Sequence, residues 1–230
     1  MKAIVFDSSS IITLAMNNLL WILEPLKERF GGEFYIPHSV KEEIIENPLH
    51  SKKFKLEALQ VMEFIDKGVL TIYEKDLLKE NEDVIDNPNR IFEARGQRVK
   101  IMHSGEIGAL LLAKKLNAEV LVVDERTTRL LVESPREVAR ILKNKMHTPI
   151  KINGKCLNEF QKSFASLKVL RSVDLGYVAY KMKILDHLLL HGKKDIDTRK
   201  QLLDAMLWAM KLRGCSITDK EIDLYVEKFV

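Results

Sequence analysis

The sequence feature that most constrains the fold is a helix followed directly by a buried strand that ends in an acid. Residues 104–116 carry a broad apolar face, with Ser104 expected as the helix cap and Glu106 in the first turn, where the helix dipole favours negative charge. The run Val120-Leu121-Val122-Val123 is typical of a strand covered on both faces. Asp124 ends that strand, at the position where open α/β sheets place their ligands.

The N-terminus repeats this arrangement. Residues 2–6 form a short apolar run, Asp7 ends it, and three serines precede a second helical pattern. Two parallel strands that each end in aspartate are expected to bring their carboxylates to one edge of a sheet. The sequence therefore predicts a site that contains Asp7 and Asp124.

The rest of the chain divides at a candidate linker, residues 146–155, which contains Pro149 and Gly154. Before it, further strands are expected at residues 33–36 and 69–73, and Ser39 with Glu42 forms a capping-box pattern. Residues 76–100 are irregular, so they form a functional loop or contain a short helix. After the linker the periodicity is helical, without a strand candidate. We therefore predict a three-layer α/β/α domain with a parallel sheet over residues 1–146, and a small all-α domain over residues 156–230.

Composition excludes several classes of protein. The chain of 230 residues is 46% hydrophobic and 30% charged, as in ordinary globular proteins. No uncharged apolar run reaches about 18 residues and no signal-peptide pattern is present, which predicts a cytoplasmic protein without a membrane partner. Cys156 and Cys215 lie far apart, so a disulfide framework or a cysteine-rich zinc site is not expected.

The positive charge is unevenly distributed. The formal net charge is +4, and from Thr148 onward there are 15 Lys and Arg against 10 Asp and Glu, which leaves 22 against 23 before it. The excess in the C-terminal third could help to hold a polyanion, although a solvated helical face explains any single lysine equally well.

Acids at strand ends, without a nucleophilic serine or cysteine motif, indicate a divalent metal. Hard cations such as Mg²⁺ and Mn²⁺ prefer oxygen ligands. A cluster of three or four carboxylates holds one or two such ions, which activate water for displacement at phosphorus. Without a cation, that many acids in one crevice repel one another unless their pKa values rise.

Four segments in register resemble the PIN-domain ribonucleases over about residues 1 to 145. They are Val5-Phe6-Asp7-Ser8-Ser9, residues 37–44, Gly105-Glu106-Ile107-Gly108-Ala109, and Val122-Val123-Asp124-Glu125. The resemblance implies that Asp7, Glu43, Glu106 and Asp124 are catalytic, metal-binding acids. Two positions depart from the family pattern: Glu106 stands where many members have aspartate, and Val122 where Thr or Ser often precedes the last acid. Glu125 could substitute for a missing ligand.

The resemblance further implies a Mg²⁺- or Mn²⁺-dependent endoribonuclease that cleaves single-stranded RNA, with single-stranded or structured RNA as its partner. Many relatives are toxins of toxin–antitoxin pairs and many are dimers, so a homodimer and an antitoxin or other protein partner are also implied. The residues expected to contact nucleic acid are Ser9, Arg126, Arg129, Arg98 and Lys100.

Two other functions fit the same residues. One is a catalytically weak or inactive PIN-fold module for RNA binding or assembly. The other is a phosphatase with Asp7 as its nucleophile, against which stands a serine rather than a second aspartate at position 9.

Overall fold

The computed structural model describes residues 2–80, 88–189 and 195–228. It contains eight strands within those ranges. In chain order they are β1 Ala3–Phe6, β2 Glu33–Pro37, β3 Thr71–Tyr73, β4 Phe92–Ala94, β5 Gln97–Arg98, β6 Val120–Val122, β7 Ile150–Ile152 and β8 Lys168–Leu170.

The α-helices of the described residues surround these strands. They are α1 Ser8–Met16, α2 Leu23–Phe30, α3 His38–Lys41, α4 Asn47–Leu49, α5 Lys55–Asp66, α6 Leu77–Glu80, α7 Ser104–Lys115, α8 Arg126–Glu133, α9 Pro135–Met146, α10 Gly154–Phe164, α11 Ser172–Lys181, α12 Ile196–Leu212 and α13 Asp219–Glu227. None of them combines the length and the apolar composition that a membrane crossing requires.

The main sheet has five parallel strands in the order β3-β2-β1-β6-β8. Alternate residues of β1 enter two separate apolar cores: Ile4 and Phe6 pack on one face, and Ala3 and Val5 on the other. Helices therefore cover both faces, which confirms the predicted three-layer α/β architecture with a helical C-terminal region.

The register of β1 and β6 positions the candidate site. Phe6 pairs with Val122 in a parallel ladder, so both strands finish at the same edge of the sheet. Asp7 follows β1 directly, and its backbone amide donates to the Val122 carbonyl at 2.9 Å. Asp124 lies two residues beyond β6. The predicted adjacency of the two strand ends is confirmed.

The C-terminal segment contains two strands that the sequence did not reveal. β8 is the edge strand of the main sheet, next to β6, and β7 pairs with β4 in a small antiparallel sheet with β5. Both are three residues long and partly exposed. β7 lies within the segment predicted as a linker, residues 146–155, and β8 was concealed by the helical periodicity around it. The division into domains at residues 146 and 156 stays a prediction.

Helices α11, α12 and α13 pack on one another beside β8, and α11 also contacts α1. Their apolar residues, including Ala179 and Leu207, belong to the same core as Phe6. The buried Arg171, just after β8, donates to Glu221 on α13 at 2.8 Å. The C-terminal helices are thereby attached to the edge of the sheet that carries the candidate site.

The segment predicted as a loop or short helix contains several elements. α6 begins at Leu77, a 3₁₀ turn spans Pro88–Arg90, and β4 and β5 form a hairpin. The acidic residues 81–87 lie outside the described residues. The Asn89 carboxamide oxygen accepts from the amides of Ile101 and Met102, which fixes the chain just before α7.

The connection from β2 to α5 departs from the predicted capping box. α3 begins at His38 with Pro37 as its N-cap, and the hydroxyl of Ser39 is buried without a hydrogen-bond partner. A π-helical turn, Glu42–Glu46, follows directly and leads into α4. The helix therefore contains an extra residue at the segment that carries Glu43, a feature that is frequent at functional sites.

Candidate metal centre

Asp7 is the N-cap of α1 and lies buried at the end of β1. Its Oδ2 atom accepts from the backbone amide of Ser9 at 3.0 Å and from the Ser9 hydroxyl at 2.5 Å. Its Oδ1 atom is buried and has no hydrogen-bond partner among the described residues. Since burial of an unpaired carboxylate oxygen is costly, this atom favours binding a proton, a water molecule or a cation.

The protonation of Asp7 reflects its surroundings. Burial raises the pKa of Asp7 to about 7, the two hydrogen bonds from Ser9 oppose that rise, and the negative charges of Glu106 and Glu43 add to it. The structure thus brings three of the four predicted acids, Asp7, Glu43 and Glu106, into electrostatic contact.

Glu43 reaches the N-terminus of α7 from the π turn. Its Oε1 atom accepts from the Gly105 backbone amide at 3.2 Å. A Cβ atom at position 105 would lie only 2.6 Å from Glu43 Oε2. Only glycine allows the carboxylate to approach the helix so closely, so Gly105 maintains the position of Glu43.

Glu106 lies in the first turn of α7, and its Oε2 atom accepts from the His103 backbone amide at 2.6 Å. The N-cap is therefore His103, one residue before the predicted Ser104. Burial raises the pKa of Glu106, the His103 amide opposes the rise, and the charge of Glu125 adds to it. Glu106 thus combines a capping role with a position beside Asp7.

Asp124 is held at both its backbone and its side chain. Its amide donates to the Ser9 hydroxyl at 3.0 Å, which connects it to the Asp7 carboxylate. Its carboxylate accepts from the Ser172 amide at 2.7 Å, the Ser172 hydroxyl at 2.6 Å and the Cys215 thiol at 3.3 Å. Both oxygens of Asp124 are therefore engaged by the C-terminal region, and they are not shared with the other three acids in this arrangement.

Two of these partners were missed by the sequence analysis. Ser172 begins α11, and Asp174 two residues later could have identified this helix start. No local sequence pattern, however, connects Ser172 to Asp124. Cys215 is likewise distant in sequence, and burial raises the pKa of its thiol to about 12.

Glu125, the substitute acid, is half-buried and is the N-cap of α8. Its Oε2 atom accepts from the Thr128 amide at 2.7 Å. Its charge acts on Glu106, so it faces the same group of acids.

The predicted basic residues occupy two places. Arg98 and Lys100 line a cavity of about 400 Å³ together with His103 and Ser104, at the N-terminus of α7. Arg126 is exposed at the start of α8. Arg129 lies one turn later, where it pairs with Glu133 at 3.7 Å and has a buried Nε atom without a hydrogen-bond partner.

The donor set suits a hard divalent cation, since Asp7, Glu43 and Glu106 offer only oxygen ligands and Asp7 Oδ1 lacks a partner. Within residues 2–80, 88–189 and 195–228, no three His, Cys, Asp or Glu side chains are already arranged around one point in metal-binding geometry. The acids therefore suit such an ion by their chemistry, whereas their side chains as placed do not form a complete metal site within the described residues.

Comparison with protein families identifies the family of this chain. The family model DUF3368, described as a PIN domain, matches residues 3–136, which is more than half of the chain and includes all four predicted acids. No curated protein and no solved structure matches the chain significantly. The chain belongs to the PIN-domain family.

Proposed function

We propose that this protein is a Mg²⁺- or Mn²⁺-dependent endoribonuclease that hydrolyses phosphodiester bonds in single-stranded RNA. PIN domains are generally nucleases, and the family typically uses divalent metal ions. The observation that carries the proposal is the buried, unpartnered Oδ1 atom of Asp7, with the charges of Glu43 and Glu106 directed at the same carboxylate.

Asp7, Glu43 and Glu106 are the residues that would hold the cation. When bound, the ion supplies Lewis-acid activation of the attacking water and neutralises charge on the phosphate. A cation bound by this group would also offset the burial that chiefly raises the pKa of Asp7 to about 7, and the smaller repulsion from Glu106 and Glu43.

Other residues of the chain position these acids. Ser9 directs Asp7 Oδ2 through two hydrogen bonds, which leaves Oδ1 free to face the site. The Gly105 amide holds Glu43, and the His103 amide holds one oxygen of Glu106, so each carboxylate is fixed by the backbone of a rigid element.

Two adjacent residues, Asp124 and Glu125, are candidates for the fourth metal ligand. The resemblance assigns this role to Asp124, whose carboxylate oxygens accept from Ser172 and so are directed to the start of α11, although the carboxylate keeps a further lone pair for a cation. The charge of Glu125 acts on Glu106. Its Oε2 atom accepts from the Thr128 amide, and its Oε1 atom accepts no hydrogen bond within the described residues.

Basic side chains near the acids would bind the RNA backbone at this edge of the sheet. Arg98 and Lys100 line the cavity beside the N-terminus of α7, and a phosphate there would also meet the positive end of the helix dipole. Arg126 and Arg129 lie in the first turn of α8, which begins two residues after Asp124. Contacts of this kind bind the backbone without reading its sequence.

The test is calorimetric titration of Mn²⁺ into the full chain, with cleavage of a fluorescently labelled single-stranded RNA measured in parallel. Asp7→Asn is expected to abolish both metal binding and cleavage. Asp204→Asn, an exposed acid on α12, is the matched control and is expected to retain both. Cleavage by Asp7→Asn at the wild-type rate would show that the assignment is wrong.

A second candidate is a PIN-fold RNA-binding or assembly module with weak or no activity. It is favoured by the use of two predicted ligands, Glu106 and Asp124, as hydrogen-bond acceptors at helix starts. RNA binding that persists in EDTA and in Asp7→Asn, without cleavage by the wild type, would select this function.

A further inference from the structure

A cavity of about 320 Å³, the tyrosine cavity, has walls formed by α11 and α13 beyond the end of β8. Its volume lies at the small end of the range of about 300–1,000 Å³ that is typical of sites for small ligands. Its lining combines aromatic, apolar and charged side chains, namely Arg171, Tyr177, Glu221, Leu224, Tyr225 and Lys228.

One face of α13 forms most of the cavity wall. Glu221, Leu224, Tyr225 and Lys228 follow one another at intervals of three, one and three residues, which places them on one side of the helix. Ile222 is buried in the core instead. Leu224 is 51% exposed and Lys228 is also exposed, so this face of α13 is open to a ligand.

The two tyrosine rings present surfaces on which a planar group can stack. Tyr177 and Tyr225 are half-buried, with ring centroids 4.9 Å apart and ring planes at 60°. The Tyr225 hydroxyl donates to Asp174, which fixes that ring against α11. The Tyr177 ring also lies beside Tyr180 in a stacked arrangement, with centroids 6.5 Å apart. Because these rings are held in place, a ligand that stacks on them loses little affinity to side-chain ordering.

The charges in the tyrosine cavity favour a neutral ligand over a phosphate. The Arg171 guanidinium donates to Glu221 at 2.8 Å and to Asp174 at 3.4 Å, so two carboxylates already offset its charge. A phosphate inside the cavity would be repelled by Glu221. Lys228 lies at the C-terminal end of the α13 face and is exposed, where it can contact a phosphate outside the cavity.

The Glu221 carboxylate can distinguish between neutral rings. Its Oε1 atom accepts from Arg171, and its Oε2 atom accepts from the amide and the hydroxyl of Thr218. The Oε1 atom therefore keeps a lone pair for one more donor. The amino group of adenine, cytosine or guanine supplies such a donor, whereas uracil has no amino group.

The tyrosine cavity is connected to the candidate metal centre through the start of α11. Arg171 lines the cavity, and the next residue, Ser172, donates to the Asp124 carboxylate. Both lie at the carboxyl end of the parallel strands, since Leu170 of β8 pairs with Val122 of β6. The cavity therefore belongs to the edge of the sheet at which the RNA backbone would bind.

We propose that the tyrosine cavity binds one unpaired base of an RNA substrate, stacked on Tyr177, with adenine preferred to uracil. The inference rests on the proposed function and adds contact with a base to the contacts with the RNA backbone. Single-stranded RNA suits such a site because its unpaired bases expose their faces for stacking on aromatic side chains. Lys228 would bind a phosphate that flanks this base.

The first experiment measures binding of the full chain, in EDTA, to a short single-stranded RNA that contains 2-aminopurine, a fluorescent adenine analogue that stacking quenches. The wild type and Tyr177→Phe are expected to quench the fluorescence equally, since both carry an aromatic ring. Tyr177→Leu keeps an apolar side chain without an aromatic face, and it should weaken binding by about 5- to 150-fold. Equal affinities of the wild type and Tyr177→Leu would overturn the proposal.

A second variant does not depend on a half-buried side chain. Leu224→Glu adds a negative charge at an exposed position of the cavity and should also weaken binding, whereas Leu212→Glu, at a leucine of α12 that is 76% exposed, should not. Oligoadenylate should bind the wild type more tightly than oligouridylate does. Equal affinities for the two oligonucleotides would contradict the preference for an amino group.

Two further measurements separate this proposal from its alternatives. Adenosine monophosphate should displace the probe only weakly, and a mononucleotide that binds as tightly as the oligonucleotide would show that the cavity takes free nucleotides and not RNA. Mn²⁺-dependent cleavage is followed in parallel. Absent cleavage with intact quenching by the wild type would contradict only the nuclease assignment, whereas cleavage with unchanged RNA binding in Tyr177→Leu would contradict only the base site.

Discussion

The Asp124 carboxylate accepts two hydrogen bonds from Ser172, one from its amide at 2.7 Å and one from its hydroxyl at 2.6 Å. These bonds join the end of β6 to the start of α11. The Asp124 carboxylate therefore caps the start of α11, while its backbone amide donates to the Ser9 hydroxyl in the candidate metal centre. The acid at the end of β6 connects the candidate metal centre to the helices that follow.

Loss of the Ser172 hydroxyl is expected to destabilise the protein. Ser172→Ala leaves a buried oxygen of Asp124 with one partner fewer, and the free energy of unfolding should fall by about 1–3 kcal/mol. Urea denaturation measures this change. Ser163→Ala, which removes an exposed contact with Lys114, should change it by no more than about 0.5 kcal/mol. Equal effects of the two variants would show that the bond to Asp124 contributes little.

A comparison of the two neighbouring acids should identify the fourth ligand. Because Asp124 is engaged by Ser172 and Glu125 faces Glu106, we expect Glu125→Gln to weaken Mn²⁺ binding more than Asp124→Asn does. Asp124→Asn should chiefly lower stability. Calorimetric titration of both variants, with urea denaturation alongside, separates these effects. Stronger loss of Mn²⁺ affinity in Asp124→Asn would instead support the ligand set that the family resemblance implies.

Gly105→Ala should disturb Glu43 without unfolding the protein. The added Cβ atom would lie 2.6 Å from Glu43 Oε2, so the carboxylate must move from the N-terminus of α7. Displacement of a supporting contact typically weakens metal binding by about 10- to 100-fold. Gly154→Ala is the control, since nothing lies within 4 Å of the added atom. Unchanged Mn²⁺ affinity in Gly105→Ala would exclude Glu43 as a ligand.

Without a divalent cation, stability should depend on pH through Asp7. Its pKa is about 7 in the folded protein against 3.8 for an unperturbed aspartate, so the folded state binds the proton more tightly between these limits. The free energy of unfolding should therefore fall as pH rises from about 4 to about 7, by at most about 4 kcal/mol from this group. Urea denaturation in EDTA at several pH values measures the slope. Asp7→Asn should reduce it, and an identical slope in that variant would contradict the assignment.

Lys100 is expected to contribute to RNA binding through charge alone. Lys100→Ala should weaken binding to single-stranded RNA of any sequence and reduce the dependence of log affinity on log salt by about 1. Fluorescence anisotropy at several salt concentrations measures both quantities. Lys168→Ala is the control, because this exposed residue begins β8 and pairs with the first residue of β6, at the end of the parallel strands opposite to the acids. A salt dependence that is the same in both variants would exclude Lys100 from the RNA path.

Most of the main sheet could be predicted because its central strands are apolar throughout. β1 and β6 have that composition since helices cover both faces, and the acids that follow them mark their ends. β8 could not be predicted from the sequence, because its three residues become a strand only by pairing with β6. The five-residue π turn was equally hidden, since no local pattern distinguishes it from a continued α-helix.

The location of the acids was easier to predict than the direction of their side chains. Periodicity and strand ends place Asp7 and Asp124 at one edge, and the structure agrees. Which way the Asp124 carboxylate turns depends on Ser172 and Cys215, which are 48 and 91 residues away in sequence. Contacts over such separations leave no signal in the residues around Asp124.

The hydrogen bonds of the Asp124 carboxylate can form only late in translation. Asp7, Glu43, Glu106 and Asp124 have all been synthesised before the chain reaches Ser172, and Cys215 follows much later. Until those two residues emerge, the Asp124 carboxylate lacks its partners, and β6 has no β8 beside it. A chain that is still being translated therefore carries every candidate acid well before it can position the Asp124 carboxylate.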